Sequence, residues 1–212
     1  MKNLLFIFFF IIYSNLTNAQ NNIDSLKAEL TNDPNNISLL IKLGRIYHDF
    51  GIEGDKEVVK KGEKYLEKAI ELDSKNAIAV AYYGSILTMK ARDAKMPWNK
   101  IKYGKKGLSF IDQAVELEPD NLEVRIIRAM NSFYAPSFLG RLKYSFEDFQ
   151  YVIKNDQFIN WSADAKAYIY FNLGNAYKKD NKSVEAKKYY EMALKEAPSS
   201  KSGKAAKLAL DE

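Results

Sequence analysis

Apolar residues recur at three- and four-residue spacing along nearly the whole chain, as in Tyr65, Leu66, Ala69 and Ile70, with no sustained alternation of apolar and polar positions. That period predicts helices, each burying one face against its neighbours, and no strands. The phrase A-I-E-L-D-S-K-N, Ala69 to Asn76, returns as A-V-E-L-E-P-D-N, Ala114 to Asn121, and in weaker form as A-L-K-E-A-P-S-S, Ala193 to Ser200. In the first two cases a small residue follows 15 positions after the leading alanine, Gly84 after Ala69 and Ala129 after Ala114. Self-similarity at such spacing marks a repeat architecture in which each phrase closes a helix.

Leu43-Gly44-x-x-Tyr47 and Leu173-Gly174-x-x-Tyr177 resemble the first helix of a tetratricopeptide repeat. Ala186, Tyr190, Ala193 and Pro198 stand where that family places small, aromatic, small and helix-ending residues, and Gly174 precedes Ala193 by the family's uninterrupted 19 positions. The other units keep the marks with extra residues inside the hairpin. Gly44 pairs with Gly62, Leu66 and Ala69; Gly84 and Leu87 pair with Gly107, Ile111, Ala114 and Pro119; Ala129 pairs with Ser145, Phe149 and Val152. Against 19, these spans of 25, 30 and 23 positions contain inserts of 6, 11 and 4.

The fold expected from this resemblance is an all-α superhelical solenoid of about four helical hairpins, residues 37–76, 77–121, 122–160 and 161–200. Residues 20–36 and 201–212 are expected to act as terminal capping helices, which stop a stack of repeats from polymerising.

Lys2, the apolar run Leu4 to Tyr13, polar Ser14 and Asn15, and the small-residue end Thr17-Asn18-Ala19 follow the order of a secretory signal. The run is shorter than the roughly 20 residues that span a bilayer. Residues 1–19 are therefore expected to be removed after Ala19, leaving a protein exported to the periplasm or cell exterior. The abundance of Lys, Asn and Ile suggests a bacterial source. There is no cysteine, so packing alone must hold an exported chain together. The formal charge of +5 becomes +4 without Lys2, too mild an excess to imply a nucleic-acid partner.

His48 is the single histidine, and no His-x-x-x-His or Glu-x-x-His spacing accompanies it, so neither a metal site nor a catalytic residue is expected. No Gly-rich phosphate loop is present either. The expectation is a protein that is not an enzyme and carries no cofactor.

In the tetratricopeptide family the first helices of the hairpins line a concave groove that receives a peptide or partner helix. Projected onto this sequence, the groove holds Ile41, Arg45, Ile78, Ala81, Ser85, Met89, Ile126, Met130, Tyr134, Tyr168, Phe171, Asn175 and Lys179. The family's clamp for an acidic C-terminal tail needs Lys, Asn and Arg at places that here hold Ile41 with Arg45, Ala81 with Ser85, and Phe171 with Asn175. Only Asn175 fits. An apolar or helical segment of another protein is the expected ligand. The alternative is an accessory binding protein for a small or lipidic ligand, with Met89, Met130, Tyr134, Tyr168 and Phe171 in a pocket closed by the inserted segments.

The longest insert carries the sharpest charge feature. Lys90, Arg92, Lys95, Lys100, Lys102, Lys105 and Lys106 face the lone acid Asp93, with Met96, Pro97 and Trp98 among them. Either these bases solvate a helix extension, or the edge around Trp98 docks an acidic protein surface or the headgroups of an anionic membrane. Arg125 and Arg128, one turn apart where the family carries apolar side chains, call for carboxylate partners, with Asp148, Glu147 and Asp112 as candidates.

Overall fold

The computed structural model describes residues 22–212; the expected export signal and its cleavage point lie outside the described residues. All regular structure among the described residues is helical. Helix α1 covers residues 22–32. It is followed by α2 (Ile37–Gly51), α3 (Lys56–Leu72), α4 (Ala77–Asp93), α5 (Pro97–Leu117), α6 (Leu122–Tyr134), α7 (Leu142–Lys154), α8 (Ala163–Lys179), α9 (Ser183–Glu196) and α10 (Lys201–Asp211). Consecutive helices from α2 to α9 form four antiparallel hairpins. The chain divides into two compact units, up to Gly107 and from Leu108 on, with α5 running across the division.

The repeated phrase is one local device used four times. A helix ends, a tight turn closes by an i to i+3 hydrogen bond, and a short polar side chain at the turn's last position caps the next helix. Asn36, Asn76 and Asn121 donate their backbone N–H to the carbonyls of Asp33, Asp73 and Glu118, and Ser200 does so to Ala197. Their side-chain oxygens then accept from Leu39, Ala79, Glu123 with Val124, and Gly203. Each such cap satisfies N–H groups that the helix itself leaves unpaired, for roughly 1 kcal/mol.

Small residues set how closely the two helices of a hairpin approach. A Cβ on Gly107 would stand 2.6 Å from the carbonyl oxygen of Gly84, and one on Gly62 would stand 3.4 Å from that of Gly44. In the third hairpin the Oγ of Ser145 donates to the carbonyl of Ala129 at 2.7 Å. The same pair of positions therefore makes backbone contact in three hairpins. Gly174 performs the equivalent task in the fourth, where a Cβ would collide with the Tyr190 ring at 2.7 Å.

In the first unit, Leu39, Leu43 and Tyr47 of α2 close over Ile23 and Leu26 of α1, which covers the start of the stack. In the second, Phe149, Val152, Ile169, Leu173, Tyr190 and Ala193 form the core, and Ala206 of α10 completes it.

The inserts do not all emerge as loops. The eleven extra residues of the second hairpin lengthen its helices, α4 reaching Asp93 and α5 starting at Pro97, so that only residues 94–96 connect them. The segment from Lys90 to Asp93 has no helix breaker, and Pro97 sits at the first helical position, where its missing N–H costs nothing. The third insert is a true connection, built around the short 3-10 turn Ser137–Leu139 and Gly140.

Candidate functional site

Of the residues expected in the groove, those of the second unit are half-buried or exposed, whereas Ala81, Ser85 and Met89 of the first are buried. In the second unit, Ile126, Met130 and Tyr134 lie four residues apart on one face of α6, and Tyr168, Phe171, Asn175 and Lys179 follow one face of α8. The Lys179 ammonium donates to the backbone carbonyls of Phe133 and Ala135 and lies 4.9 Å from the Phe133 ring centre, which brings the ends of the two rows together. Ile126, Met130 and Phe171 are half-buried against the core, while Tyr134 is 73% exposed. Asn175 accepts a 2.8 Å hydrogen bond from the Tyr190 hydroxyl, which fixes its side chain. Lys179 is thus a fastening of the row and not a free charge.

In the first unit the corresponding positions are largely occupied by the protein itself. Ile41, Arg45 and Ile78 are half-buried, with the Arg45 guanidinium 5.2 Å from the Tyr82 ring centre. Ala81, Ser85 and Met89 are buried. Ser85 is held by His48 of α2 through a 2.8 Å hydrogen bond between Nε2 and Oγ. Met89 lies where its sulfur would meet a Cβ on Gly51 at 3.5 Å. Ala81, Ser85 and Met89 therefore do not offer the groove lining that projection of the repeat register assigns to them. The register places them correctly on α4, but it carries no information about how tightly α2 closes on that helix.

His48 Nδ1 also lies 2.9 Å from Asp49 Oδ1, so Asp49, His48 and Ser85 form a hydrogen-bonded chain in the order of an acyl-transfer triad. Sequence spacing gave no sign of it. Ser85 is only 3% exposed and sits mid-helix, where its backbone N–H belongs to the α4 ladder. A substrate carbonyl cannot reach the Oγ in this structure, and the chain serves as a link between α2 and α4.

The two arginines of α6 find the carboxylates expected of them. Arg128 binds Asp148 through Nε and Nη2, both at 2.7 Å, and Glu147 at 2.6 Å; Arg125 adds a 2.8 Å contact to Asp148. Tyr151 and Tyr144 cover the two guanidinium groups at 3.8 and 4.8 Å from their ring centres. Burial works against the Arg128 charge, but the hydrogen bonds and charges of Asp148 and Glu147 outweigh it and hold the group above the usual arginine range. Burial likewise pushes the Asp148 carboxyl up, opposed by Arg128 and Arg125, whose bidentate geometry requires the ionised form. Asp112 pairs instead with Arg141, at 2.6 and 2.7 Å, which sequence reasoning did not single out. The network ties α6 to α7, with both guanidinium groups turned to carboxylates of the chain itself.

On the basic edge, Lys90 and Arg92 are committed to the fold. Lys90 pairs with Glu63 and lies 4.6 Å from the Tyr103 ring centre. Arg92 grips Asp93 and donates to the carbonyls of Gly51 and Ile52, closing the end of α2. The Arg92 hydrogen bond holds the Asp93 carboxyl below the ordinary range. Lys95, Trp98, Lys100, Lys102, Lys105 and Lys106 are all exposed.

A cleft of about 360 Å³ lies in the first unit, lined by Lys56, Lys60, Glu63, Lys90, Asn99 and Tyr103 among others. None of the residues expected in the alternative ligand pocket, Met89, Met130, Tyr134, Tyr168 or Phe171, lines it. In the second hairpin no inserted loop is present to close such a pocket, because that insert is helix. No group of three or more potential metal ligands occurs among the described residues.

Stacked helical hairpins carrying an apolar row on their first helices define a tetratricopeptide-type protein, and residues 167–200 match that repeat family. The chain belongs to the family described as Regulator of microtubule dynamics protein 1-3, which matches residues 12–150. The curated proteins contain no match to it. Among solved structures the chain is similar to TTC0263, a thermophilic TPR protein of Thermus thermophilus, at 14% identity and a TM-score of 0.71, covering 95% of this chain and 93% of that one. MamA is similar at 22% identity and 0.54, covering 85% and 89% of the two chains. YrrB, described as a TPR protein with an unusual peptide-binding site, is similar at 20% and 0.54, covering 92% and 86%. At these identities the likeness speaks to the fold alone.

Proposed function

We propose that this chain is a non-catalytic protein-interaction module of the bacterial cell envelope, which seats an apolar or helical segment of a partner protein on the α6 and α8 rows of its second unit. The observation that carries the reading is the two rows, Ile126, Met130 and Tyr134 on α6 and Tyr168, Phe171 and Asn175 on α8, carried by helices that Lys179 fastens together at one end. Apolar and aromatic side chains presented in helical register suit a partner with anchors at i, i+3 and i+4. The helical-hairpin fold, shared with a protein described as having a peptide-binding site, supports the same class of function. The envelope setting rests on the signal-like order of residues 1–19.

Affinity capture from the native envelope tests it. Tyr134→Asp combined with Tyr168→Asp, both at exposed positions of the two rows, should abolish recovery of a reproducible partner while leaving the helical circular dichroism intact. Recovery of the same partner by that variant would refute the reading.

A further inference from the structure

The first two turns of α5 present a face that the fold does not use. On one side α5 is covered by its own unit: Gly107 lies against Gly84 and Thr88, a Cβ on Gly104 would stand 3.7 Å from that of Ala91, and Tyr103 lies beneath Lys90. On the opposite side Trp98 is 65% exposed, Ile101 57%, and Met96, just ahead of the helix, 48%. Trp98, Ile101, Lys102 and Lys105 occupy neighbouring positions three and four residues apart, so the apolar and basic groups share one surface.

Charge decides what this face fits. Between Asp93 and Asp112 the chain has five lysines and no acid. The nearby acids Glu63 and Asp93 are already paired with Lys90 and Arg92. Lys95, Lys100, Lys102 and Lys105 make no ion pair with a described residue and point their charge at whatever lies outside. An acidic protein surface would neutralise the lysines but would leave Met96, Trp98 and Ile101 facing polar groups. An anionic bilayer satisfies both: headgroup phosphates meet the ammonium groups, and the indole and the two aliphatic chains enter the boundary between headgroups and acyl chains, the depth at which tryptophan is favoured.

We infer that the face formed by Met96, Trp98, Ile101 and the lysines Lys95, Lys102 and Lys105 docks the protein peripherally on anionic phospholipid membranes. It lies on the surface and does not cross it, since no described helix is long and apolar enough to span a bilayer.

The test is vesicle co-sedimentation of the chain from Gln20 onward, which carries every described helix and omits the apolar run Leu4 to Tyr13 that would bind lipid by itself. The protein should sediment with phosphatidylcholine vesicles containing phosphatidylglycerol, should stay in solution with phosphatidylcholine alone, and should be released by added salt. Each Lys→Glu change at Lys95, Lys102 or Lys105 should weaken partitioning by at least about five-fold, the factor expected for losing a single basic contact. The same number of reversals at Lys187, Lys195 and Lys204, exposed on α9 and α10, should change it far less. In a Trp161→Phe background, the emission of Trp98 should shift to shorter wavelength on binding, and Trp98→Ala should weaken binding without altering thermal unfolding. Absence of binding, equal binding to neutral vesicles, or equal loss from the α9 and α10 reversals would each overturn the inference.

Discussion

Asp148, whose side chain has no exposed surface, holds Arg128 through both carboxylate oxygens at 2.7 Å. A carboxylate sealed in this way depends on its partners, because removing one leaves a buried charge with fewer compensating bonds. Arg125 would keep a single contact to Asp148 after the loss of Arg128. Arg128→Ala should therefore destabilise the second unit by about 3–5 kcal/mol in chemical denaturation. The double change Arg128→Met with Asp148→Leu should cost clearly less than the sum of the two single changes, since it removes both charges together. An Arg128→Ala protein with unaltered unfolding would show that the pair carries no structural weight.

Close helix approach gives a graded test within the first unit. Alanine is favoured over glycine in a helix by about 1 kcal/mol, so a Gly→Ala change stabilises unless the new methyl group collides. At Gly107 the methyl would meet the Gly84 backbone at 2.6 Å, and backbone cannot step aside. At Gly62 the nearest atoms are side-chain carbons of Ile86 and Tyr47, at 3.0 and 3.2 Å. Gly107→Ala should lose about 1–3 kcal/mol, and Gly62→Ala should be near neutral. Thermal unfolding of the two variants side by side checks the order.

The link between His48 and Ser85 predicts a stability effect without a catalytic one. Ser85→Ala leaves the buried His48 Nε2 without its 2.8 Å partner and should cost about 1–3 kcal/mol. Any ester hydrolysis by the native protein that disappeared in this variant would contradict the assignment of the chain as a structural link.

Much of this architecture was legible in the sequence, and the reasons are local. The phrase ending at Asn76 and Asn121 encodes a helix stop, a turn and a cap within eight residues, so its recurrence reveals the hairpins. The pairs of Gly44 with Gly62 and Gly84 with Gly107 were readable because only small residues tolerate that contact. Arg125 and Arg128 stood out because charge appeared where apolar side chains belong, and their carboxylates lay one helix away. What could not be read was how far each groove position stays open. Ser85 and Met130 carry similar signals in sequence, yet Ser85 is buried under α2 and Met130 is only half-buried. The second insert could have been a loop or a helix on composition alone; the absence of a breaker before Asp93 and the placing of Pro97 decide for helix. Ile101 was missed because an isolated apolar residue among lysines reads as a core position.

Alkaline pH should weaken the fold through Tyr83. Burial, followed by the charge of Glu67, pushes its hydroxyl from the ordinary 10.0 up to about 12. A group whose folded value is raised contributes stability that is intact below its unfolded value and is lost as pH climbs through the folded one. Stability should therefore fall between about pH 10 and about 12. Tyr83→Phe should flatten part of that fall when denaturation midpoints are compared across the window, with Tyr65, Tyr170, Tyr189 and Tyr190, also raised by burial, supplying the rest.

The most direct test of the protein-binding reading is site-specific photocrosslinking in the native envelope, with the photoreactive residue placed at Phe171 and, for comparison, at the exposed Glu191 of α9. One reproducible protein adduct from position 171 and none from position 191 is the predicted result. Equal labelling from both positions, or no adduct from position 171 under any condition in which the protein is folded, would contradict a partner seated on the α6 and α8 rows.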